Sequence, residues 1–226
     1  MNSGHRLIEV ESRRGTTVLA FLSPILSVEV LDELYSTLES LAEESGGDPL
    51  VLGSAHPSVF LAGAHLAEIA VLDTESSAPY ARGGRRVIER LEDYPAPTVA
   101  AINGSCSGGG FDLALACDAL ITGPNARFTH PGIRRGLVTG WSGTTRLASA
   151  LGSAKARAAL LETRDLDADS LSTHGAVQRV AEDPFAIAIE TARRLAALNP
   201  ARRRLWRALR GPGFIDRFHA SVVHKL

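Results

Sequence analysis

The sequence predicts one α/β domain with a largely parallel sheet. Its 226 residues suit a single domain of this class, and a hydrophobic content of 45% is enough to form a sizeable core. Segments with strand character alternate with segments of helical periodicity, a pattern typical of parallel strands joined by crossover helices. A glycine-rich turn at residues 103–110 joins an apolar strand to an apolar helix. These three observations define the expected fold class.

The first half of the chain is predicted to contain four strands and three helices. Ser27 is suited to cap the first helix, because leucines recur at helical spacing after it. A Ser-Gly-Gly-Asp turn at residues 45–48 is expected to end that helix. The predicted strands are residues 7–11, 17–22, 49–52 and 98–102, and the predicted helices are residues 28–44, 64–70 and 80–92.

The second half begins with the glycine-rich turn and is predicted to be mostly helical. The pair Asn199-Pro200 is expected to interrupt its last helical stretch. We therefore predict a core at residues 1–183 and a C-terminal helical region at residues 184–226. The predicted helices are residues 109–116, 144–150, 153–163, 168–174, 185–198 and 201–209, and the predicted strands are residues 119–122 and 177–180.

Composition argues against several classes of function. A net charge of -1 gives no general attraction to nucleic acid or to an anionic membrane. The two cysteines form no CxxC pair and supply no disulfide framework, so no metal site is predicted. No apolar run has the length of a membrane span, and the first residues lack the apolar core of a signal peptide. We expect a soluble cytoplasmic protein without nucleic-acid or membrane partners.

The glycines at positions 108–110 are the strongest indication of chemistry. They lie where a helix is expected to begin, so the N–H groups there lack intrahelical acceptors and form the positive end of the helix dipole. Such a place suits an anion or a developing oxyanion. The alternative is a tight turn that only packs, since glycine turns are common. The spacing matches neither a dinucleotide fingerprint nor a phosphate-binding loop.

Three motifs follow one another along the middle of the chain. The first is Phe-Leu-Ala-Gly-Ala at residues 60–64. The second runs through residues 99–118, from Val-Ala-Ala-Ile-Asn-Gly through the three glycines to Leu-Ala-Cys-Asp. The third begins at Arg127-Phe128, passes Pro131, and ends in Gly-Thr-Thr-Arg-Leu at residues 143–147. In this order they resemble the motifs of the crotonase, or enoyl-CoA hydratase/isomerase, superfamily. The resemblance extends over residues 17–180, and three motifs in the right order make it specific.

The resemblance implies a crotonase-like spiral of stacked β-β-α units that assembles as a homotrimer or a dimer of trimers. It implies an acyl-CoA thioester as ligand, with coenzyme A as part of the substrate and no permanently bound cofactor. The family's two oxyanion donors correspond to the backbone N–H groups of Ala62 and Gly109. Other expected substrate-binding positions are Ala64, His65, Leu66 and Gly108. Residues 184–226 would be a shortened form of the tail that covers coenzyme A and packs the trimer.

The catalytic side chains depart from the hydratase pattern. Hydratases in this family carry two glutamates; Asp112 stands at the position of the first, and Gly132 at the second. Adding water to an enoyl thioester uses both carboxylates, one as base and one as acid. Thr139 occupies a third position, where other branches carry an aspartate. We therefore expect an isomerase, lyase, decarboxylase or hydrolase rather than an ordinary hydratase.

Several assignments remain open from the sequence. Asp112 can act as an acid or base, or merely as a favourable charge in the first turn of a helix. Trp141 can wall an acyl pocket or pack in the core. His130 is a further candidate proton carrier, or an ordinary loop residue. The alternative for the whole protein is a catalytically impaired subunit of the same fold that binds an acyl thioester or serves as a partner subunit.

Overall fold

A computed structural model describes residues 6–44, 47–198, 201–202 and 205 of the chain. Twelve strands lie within these ranges. They are β1 (Ile8–Ser12), β2 (Thr17–Phe21), β3 (Ile25–Leu26), β4 (Leu50–Ser54), β5 (Val59–Leu61), β6 (Gly63–Ala64), β7 (Thr98–Ile102), β8 (Ser105–Ser107), β9 (Ala119–Thr122), β10 (Arg127–Thr129), β11 (Leu166–Asp167) and β12 (Arg179–Val180).

Eight α-helices and one 3-10 helix complete the same part of the chain. The 3-10 helix spans Pro131–Arg135. The α-helices are α1 (Val28–Glu44), α2 (Leu66–Ala70), α3 (Ser77–Glu92), α4 (Gly109–Ala116), α5 (Gly143–Leu151), α6 (Ser153–Leu161), α7 (Ala168–Thr173) and α8 (Pro184–Ala196). None of these helices combines the length and the hydrophobicity that crossing a membrane requires.

The main sheet has six strands in the order β1-β2-β4-β7-β9-β12. Only β1 runs antiparallel to its neighbour; β2, β4, β7, β9 and β12 pair in parallel. The central strands are buried on both faces, as parallel strands covered on both sides must be. The predicted α/β class with parallel pairing is confirmed.

Successive residues of the central strands face two different cores, because side chains alternate across a strand. Leu50 and Leu52 of β4 belong to the larger core, while Val51 between them belongs to the smaller one. Helix α8 covers the smaller core, packing Ala188 and Ala192 against the sheet. Helix α8, the first part of the region predicted as a C-terminal tail, therefore packs against the sheet as part of the domain. The boundary at residues 183/184 stays a prediction.

A second sheet, in the order β11-β10-β8-β5, carries the glycine-rich turn. Strand β8 pairs in parallel with both β5 and β10, and α4 begins two residues after it ends. The sequence predicts a turn where β8 lies and no strand at the positions of β5 and β10. These strands have three residues each, too few to show a period-2 pattern, and they exist because their neighbours pair with them.

Most of the longer predicted elements are confirmed. Strands β7 and β9 and helix α4 have the predicted bounds. The helix expected at residues 64–70 begins only at Leu66, because Gly63 and Ala64 pair with β3. The turn expected at residues 45–48 and the last helix, expected at residues 201–209, lie largely outside the described residues.

Candidate active site

The site is organised around the first turn of α4. Gly108 precedes this helix with φ 51°, a left-handed conformation that glycine adopts without strain. Its N–H donates to the carbonyl of Thr129 at 2.9 Å, which ties the turn to β10. The N–H groups of Phe111 and Asp112 both donate to the Gly108 carbonyl. The Gly109 amide is the first of the helix, where N–H groups have no intrahelical acceptor, so it is available to an anionic atom.

The segment containing Ala62 lies directly beside this turn. A Cβ atom placed on Gly63 would lie 2.7 Å from the Ser107 carbonyl oxygen and 3.2 Å from the Gly109 nitrogen. Only glycine allows so close an approach of two backbones. The structure therefore brings the two predicted oxyanion segments together.

The amide of Ala62 itself departs from the expectation. Its N–H donates to the Pro24 carbonyl oxygen at 2.7 Å, next to the parallel pair of β3 and β6. An N–H in such a bond is not a free donor. The prediction of an open Ala62 donor is therefore corrected: in this structure the Gly109 amide stands alone of the predicted pair as an open donor. The sequence could not show this, because the acceptor is distant in the chain and lies in the bend just before the two-residue strand β3.

Asp112 is buried, with 1% of its surface exposed, and three residues surround its carboxylate. Thr139 Oγ1 donates a hydrogen bond to Oδ2. His130 Nε2 lies 2.9 Å from Oδ1, in a buried ion pair if the ring is protonated. A Cβ atom on Gly143 would fall 2.0 Å from Oδ1, so glycine at the start of α5 leaves the space that the carboxylate fills. The structure thus assembles Asp112, His130 and Thr139, which the sequence had proposed separately.

The His130–Asp112 pair is close but not aligned as a well-formed hydrogen bond. Its two facing atoms have no other hydrogen-bond partner among the described residues. A carboxylate at this distance restrains the orientation of the ring and attracts any positive charge placed on it. The contact leaves Nδ1 as the ring nitrogen that Asp112 does not face. An imidazole held in this way is a candidate proton carrier.

A cavity of about 320 Å³ adjoins the pair. His130, Gly132 and Thr139 line it, together with side chains of the 3-10 helix, α5 and α6. None of the described residues that line it is acidic, and Asp112 is not among them. Asp112 consequently lies behind His130 and Thr139 as seen from the cavity. His130, the weaker candidate of the two from the sequence, therefore lines the cavity, whereas Asp112 does not.

Trp141 lies beside the α4 turn, between two glycines. A Cβ atom on Gly109 would be 2.1 Å from Trp141 Cζ3, and one on Gly84 would be 2.0 Å from Cε2. The indole is 5% exposed and packs near Tyr80, with ring centroids 6.3 Å apart. Trp141 therefore fits both interpretations. The indole is part of the core, and it also borders the space at the Gly109 amide.

The positions expected beside coenzyme A form the start of α2. Ala64 ends β6, and Leu66 begins the helix with 48% of its surface exposed. His65 Nδ1 lies 3.3 Å from Glu68 Oε1, an ion pair when the histidine is protonated. Tyr80 lies nearby, and burial together with the charge of Glu68 raises the pKa of its phenol to about 12. The phenol is therefore protonated at neutral pH, and its oxygen has no hydrogen-bond partner among the described residues.

Sequence reasoning missed three residues that shape the site. Gly143 was noted as part of a motif, but not as the residue that makes room for Asp112. Gly84 and Tyr80 belong to α3, where nothing in the helical periodicity marks them. Their roles depend on the side chain that packs against them, and that contact is visible only in three dimensions.

Cys106 is predicted to be chemically inert in the native protein. It is fully buried, and burial, followed by the charge of Asp112 and the nearby Cys117, raises the pKa of its thiol well above the usual value. Only the thiolate reacts with disulfide reagents. In a Cys117→Ala variant at pH 8, we expect no reaction with a chromogenic disulfide until denaturant is added. Labelling of the folded variant at the rate of a free cysteine would contradict this prediction.

Comparisons with known proteins identify the family and the fold. The family model described as enoyl-CoA hydratase/isomerase matches residues 21–210. The mitochondrial methylglutaconyl-CoA hydratase of Rattus norvegicus is 32% identical over 176 residues, which are 76% of this chain and 56% of that protein. A Mycobacterium bovis protein named "Probable enoyl-CoA hydratase echA8" is 32% identical over 207 residues, which are 88% of this chain and 78% of its own length.

Solved structures resemble the chain over most of its length. The crystal structure of an enoyl-CoA hydratase from Bacillus anthracis has a TM-score of 0.82 at 28% identity, covering 90% of this chain and 81% of that chain. The chain spans little more than half the length of the rat relative.

Proposed function

Because this chain belongs to the enoyl-CoA hydratase/isomerase family and has the crotonase fold, we propose that it moves a proton on an acyl-CoA thioester through the His130–Asp112 pair. The proposed reaction is an isomerase or lyase type of chemistry that passes through an enolate. Coenzyme A as part of the substrate, a homotrimer and a cytoplasmic location are the accompanying proposals, and they rest on the family resemblance.

The observation that carries the proposal is the buried carboxylate paired with a histidine that lines a cavity. Asp112 contacts His130, and His130 reaches the ligand space that Asp112 does not reach. A positioned histidine is the side chain that most often serves as general acid or base in enzymes. The carboxylate behind it keeps the ring oriented and balances the charge it gains.

The proposed reaction begins with an acyl thioester whose α-carbon lies next to His130. The imidazole takes the α-proton, and the electron pair of the broken C–H bond forms the enolate, whose charge collects on the thioester oxygen. The Gly109 N–H and the positive end of α4 stabilise that oxygen, an effect worth roughly 2.7–4 kcal/mol for a preorganised donor. The imidazolium then returns its proton to the α-carbon, which gives exchange. Where the acyl chain carries a β,γ double bond, the intermediate is a dienolate, and proton return to its γ-carbon moves the double bond to the α,β position, which gives isomerisation.

Ordinary hydration is less well supported. It uses two carboxylates to orient and activate one water molecule. Gly132 lines the cavity where the second glutamate of hydratases is expected, and Thr139 presents a hydroxyl that donates to Asp112. The proton-carrying groups at this site are thus one imidazole and one carboxylate, which suits proton transfer at carbon.

The test is exchange of the α-proton of butyryl-CoA in deuterated buffer, followed by NMR or mass spectrometry. We expect wild-type enzyme to catalyse exchange, and a His130→Gln variant to lower its rate by about 10²-fold or more. A His56→Gln variant serves as the control, since His56 is exposed and lies outside the site. Hydration of crotonyl-CoA faster than exchange would favour hydratase chemistry instead.

The impaired-subunit alternative makes a different prediction in the same experiments. It predicts that CoA thioesters raise the melting temperature, because binding to the native state alone stabilises it. It also predicts no exchange and no turnover with enoyl-, β-keto- or malonyl-type thioesters. Binding without any reaction across that panel would therefore replace the enzyme proposal with the subunit proposal.

A further inference from the structure

We infer that the cavity beside His130 binds the acyl group of the substrate, and that Arg157 at its edge favours acyl groups that end in a carboxylate. The inference rests on the proposed function, because it assigns the substrate class of the same site. It concerns the acyl chain alone and makes no statement about where coenzyme A lies.

The cavity is continuous with the proton-transfer pair. His130 and Thr139 form part of its wall, and both contact the Asp112 carboxylate from the other side. An acyl group lying in the cavity therefore has its reacting carbons next to the imidazole. Its volume of about 320 Å³ lies at the small end of the range of roughly 300–1,000 Å³ that ligand pockets show.

The lining of the cavity is suited to a hydrocarbon chain. Most of the side chains that contribute to it are aliphatic and come from the 3-10 helix, the loop after it, α5 and α6. They include Ile133, Leu137, Val138, Ala148, Ala156 and Leu160. Two of these are alanines on facing helices, so the space between α5 and α6 exists because their side chains are small. Burying a chain of CH₂ groups there gains about 0.8 kcal/mol for each group.

The space on the other side of the α4 turn does not offer an equivalent pocket. Trp141 fills it, in contact with both Gly84 and Gly109. An acyl chain that begins at the Gly109 amide is consequently excluded from the space between α3 and α4. The cavity beside His130 is open to such a chain.

Arg157 supplies the one positive charge among the described residues that line the cavity, apart from His130 when it is protonated. It is exposed on α6, and no ion pair joins it to a described carboxylate. A few polar groups at the edge of an apolar pocket commonly determine which ligands fit. A carboxylate at the far end of the acyl chain would pair with this guanidinium.

The experiment measures dissociation constants by calorimetry for coenzyme A, acetyl-CoA, hexanoyl-CoA and adipoyl-CoA, the last with a terminal carboxylate. We expect the wild type to bind hexanoyl-CoA more tightly than acetyl-CoA. Replacing Ala148 by leucine fills part of the cavity, so hexanoyl-CoA should bind about 10-fold more weakly while acetyl-CoA is unaffected. Ala150→Leu is the matched control, because this alanine is also half-buried on α5 but does not line the cavity.

The arginine is tested with the same ligands. Arg157→Gln is expected to weaken adipoyl-CoA binding by about 3- to 5-fold, as for an exposed ion pair, and to leave hexanoyl-CoA unchanged. Arg157→Lys should retain most of the preference. Lys155→Gln removes the same charge from α6 at a position outside the cavity, and it should have no selective effect.

Four outcomes overturn the inference. Equal effects of Ala148→Leu on hexanoyl-CoA and acetyl-CoA would place the acyl chain elsewhere. Equal weakening of coenzyme A and adipoyl-CoA by Arg157→Gln would show that Arg157 holds a phosphate rather than the acyl terminus. Absence of binding by every thioester would overturn the proposed function as well, whereas binding without the predicted length dependence overturns the inference alone.

Discussion

Replacing Asp112 by asparagine is expected to lower the rate of α-proton exchange on an acyl-CoA by about 10²- to 10⁴-fold. Asparagine keeps the shape of the side chain but removes the charge that faces His130 at 2.9 Å. The imidazole then loses both its orientation and the charge that balances its protonated form. Thioester affinity should change little, because Asp112 does not line the cavity. The measurements are the exchange rate at saturating substrate and the dissociation constant of hexanoyl-CoA.

Controls must separate this loss from a loss of stability, since removing one partner of a buried charge pair destabilises a fold by roughly 3–5 kcal/mol. Asp118→Asn is a matched control: Asp118 is also buried, but its carboxylate accepts from the backbone and the hydroxyl of Thr98, away from the site. We expect that variant to lose stability and keep its exchange rate. Equal exchange rates for wild type and Asp112→Asn would remove Asp112 from the mechanism.

A Gly84→Ala substitution is expected to destabilise the protein by about 1–3 kcal/mol, the usual effect of overpacking. A Cβ atom at this position would lie 2.0 Å from the Trp141 ring, so either α3 or the indole must shift. As a single substitution, Trp141→Ala should destabilise the protein more than Gly84→Ala does, by about 3–5 kcal/mol, because it leaves a cavity in the core. Urea unfolding midpoints measure both effects.

The double variant gives the sharper result. The indole supplies all three of the atoms nearest to a Cβ at position 84. Without it, the better helix propensity of alanine should stabilise the Trp141→Ala background by about 0.5–1 kcal/mol. Gly83→Ala is the matched control on the same helix, since a Cβ there contacts nothing within 4 Å. It should stabilise the wild type and the Trp141→Ala variant alike. If Gly84→Ala destabilises both backgrounds equally, Trp141 does not pack on this glycine.

The chain's longer elements and its family could be predicted because each depends on local or ordered sequence features. The helix from Gly109 was predictable to the residue, since three glycines separate a buried strand from an apolar run. The three-residue strands β5, β8 and β10 could not be predicted, because residues distant in the sequence stabilise them by pairing. The same holds for Gly84, whose importance comes entirely from Trp141.

The sequence by itself determined the α/β class, the family, the placement of a glycine turn at a helix start, and the loss of the second carboxylate at Gly132. The tertiary structure decided which groups meet. In the folded chain the Ala62 amide donates to the Pro24 carbonyl, and His130 lies between Asp112 and a cavity. Trp141 packs against the turn at Gly109. The physical reason is that motifs fix backbone conformation within a few residues, whereas hydrogen-bond acceptors, ion pairs and packing partners come from segments that only folding brings together.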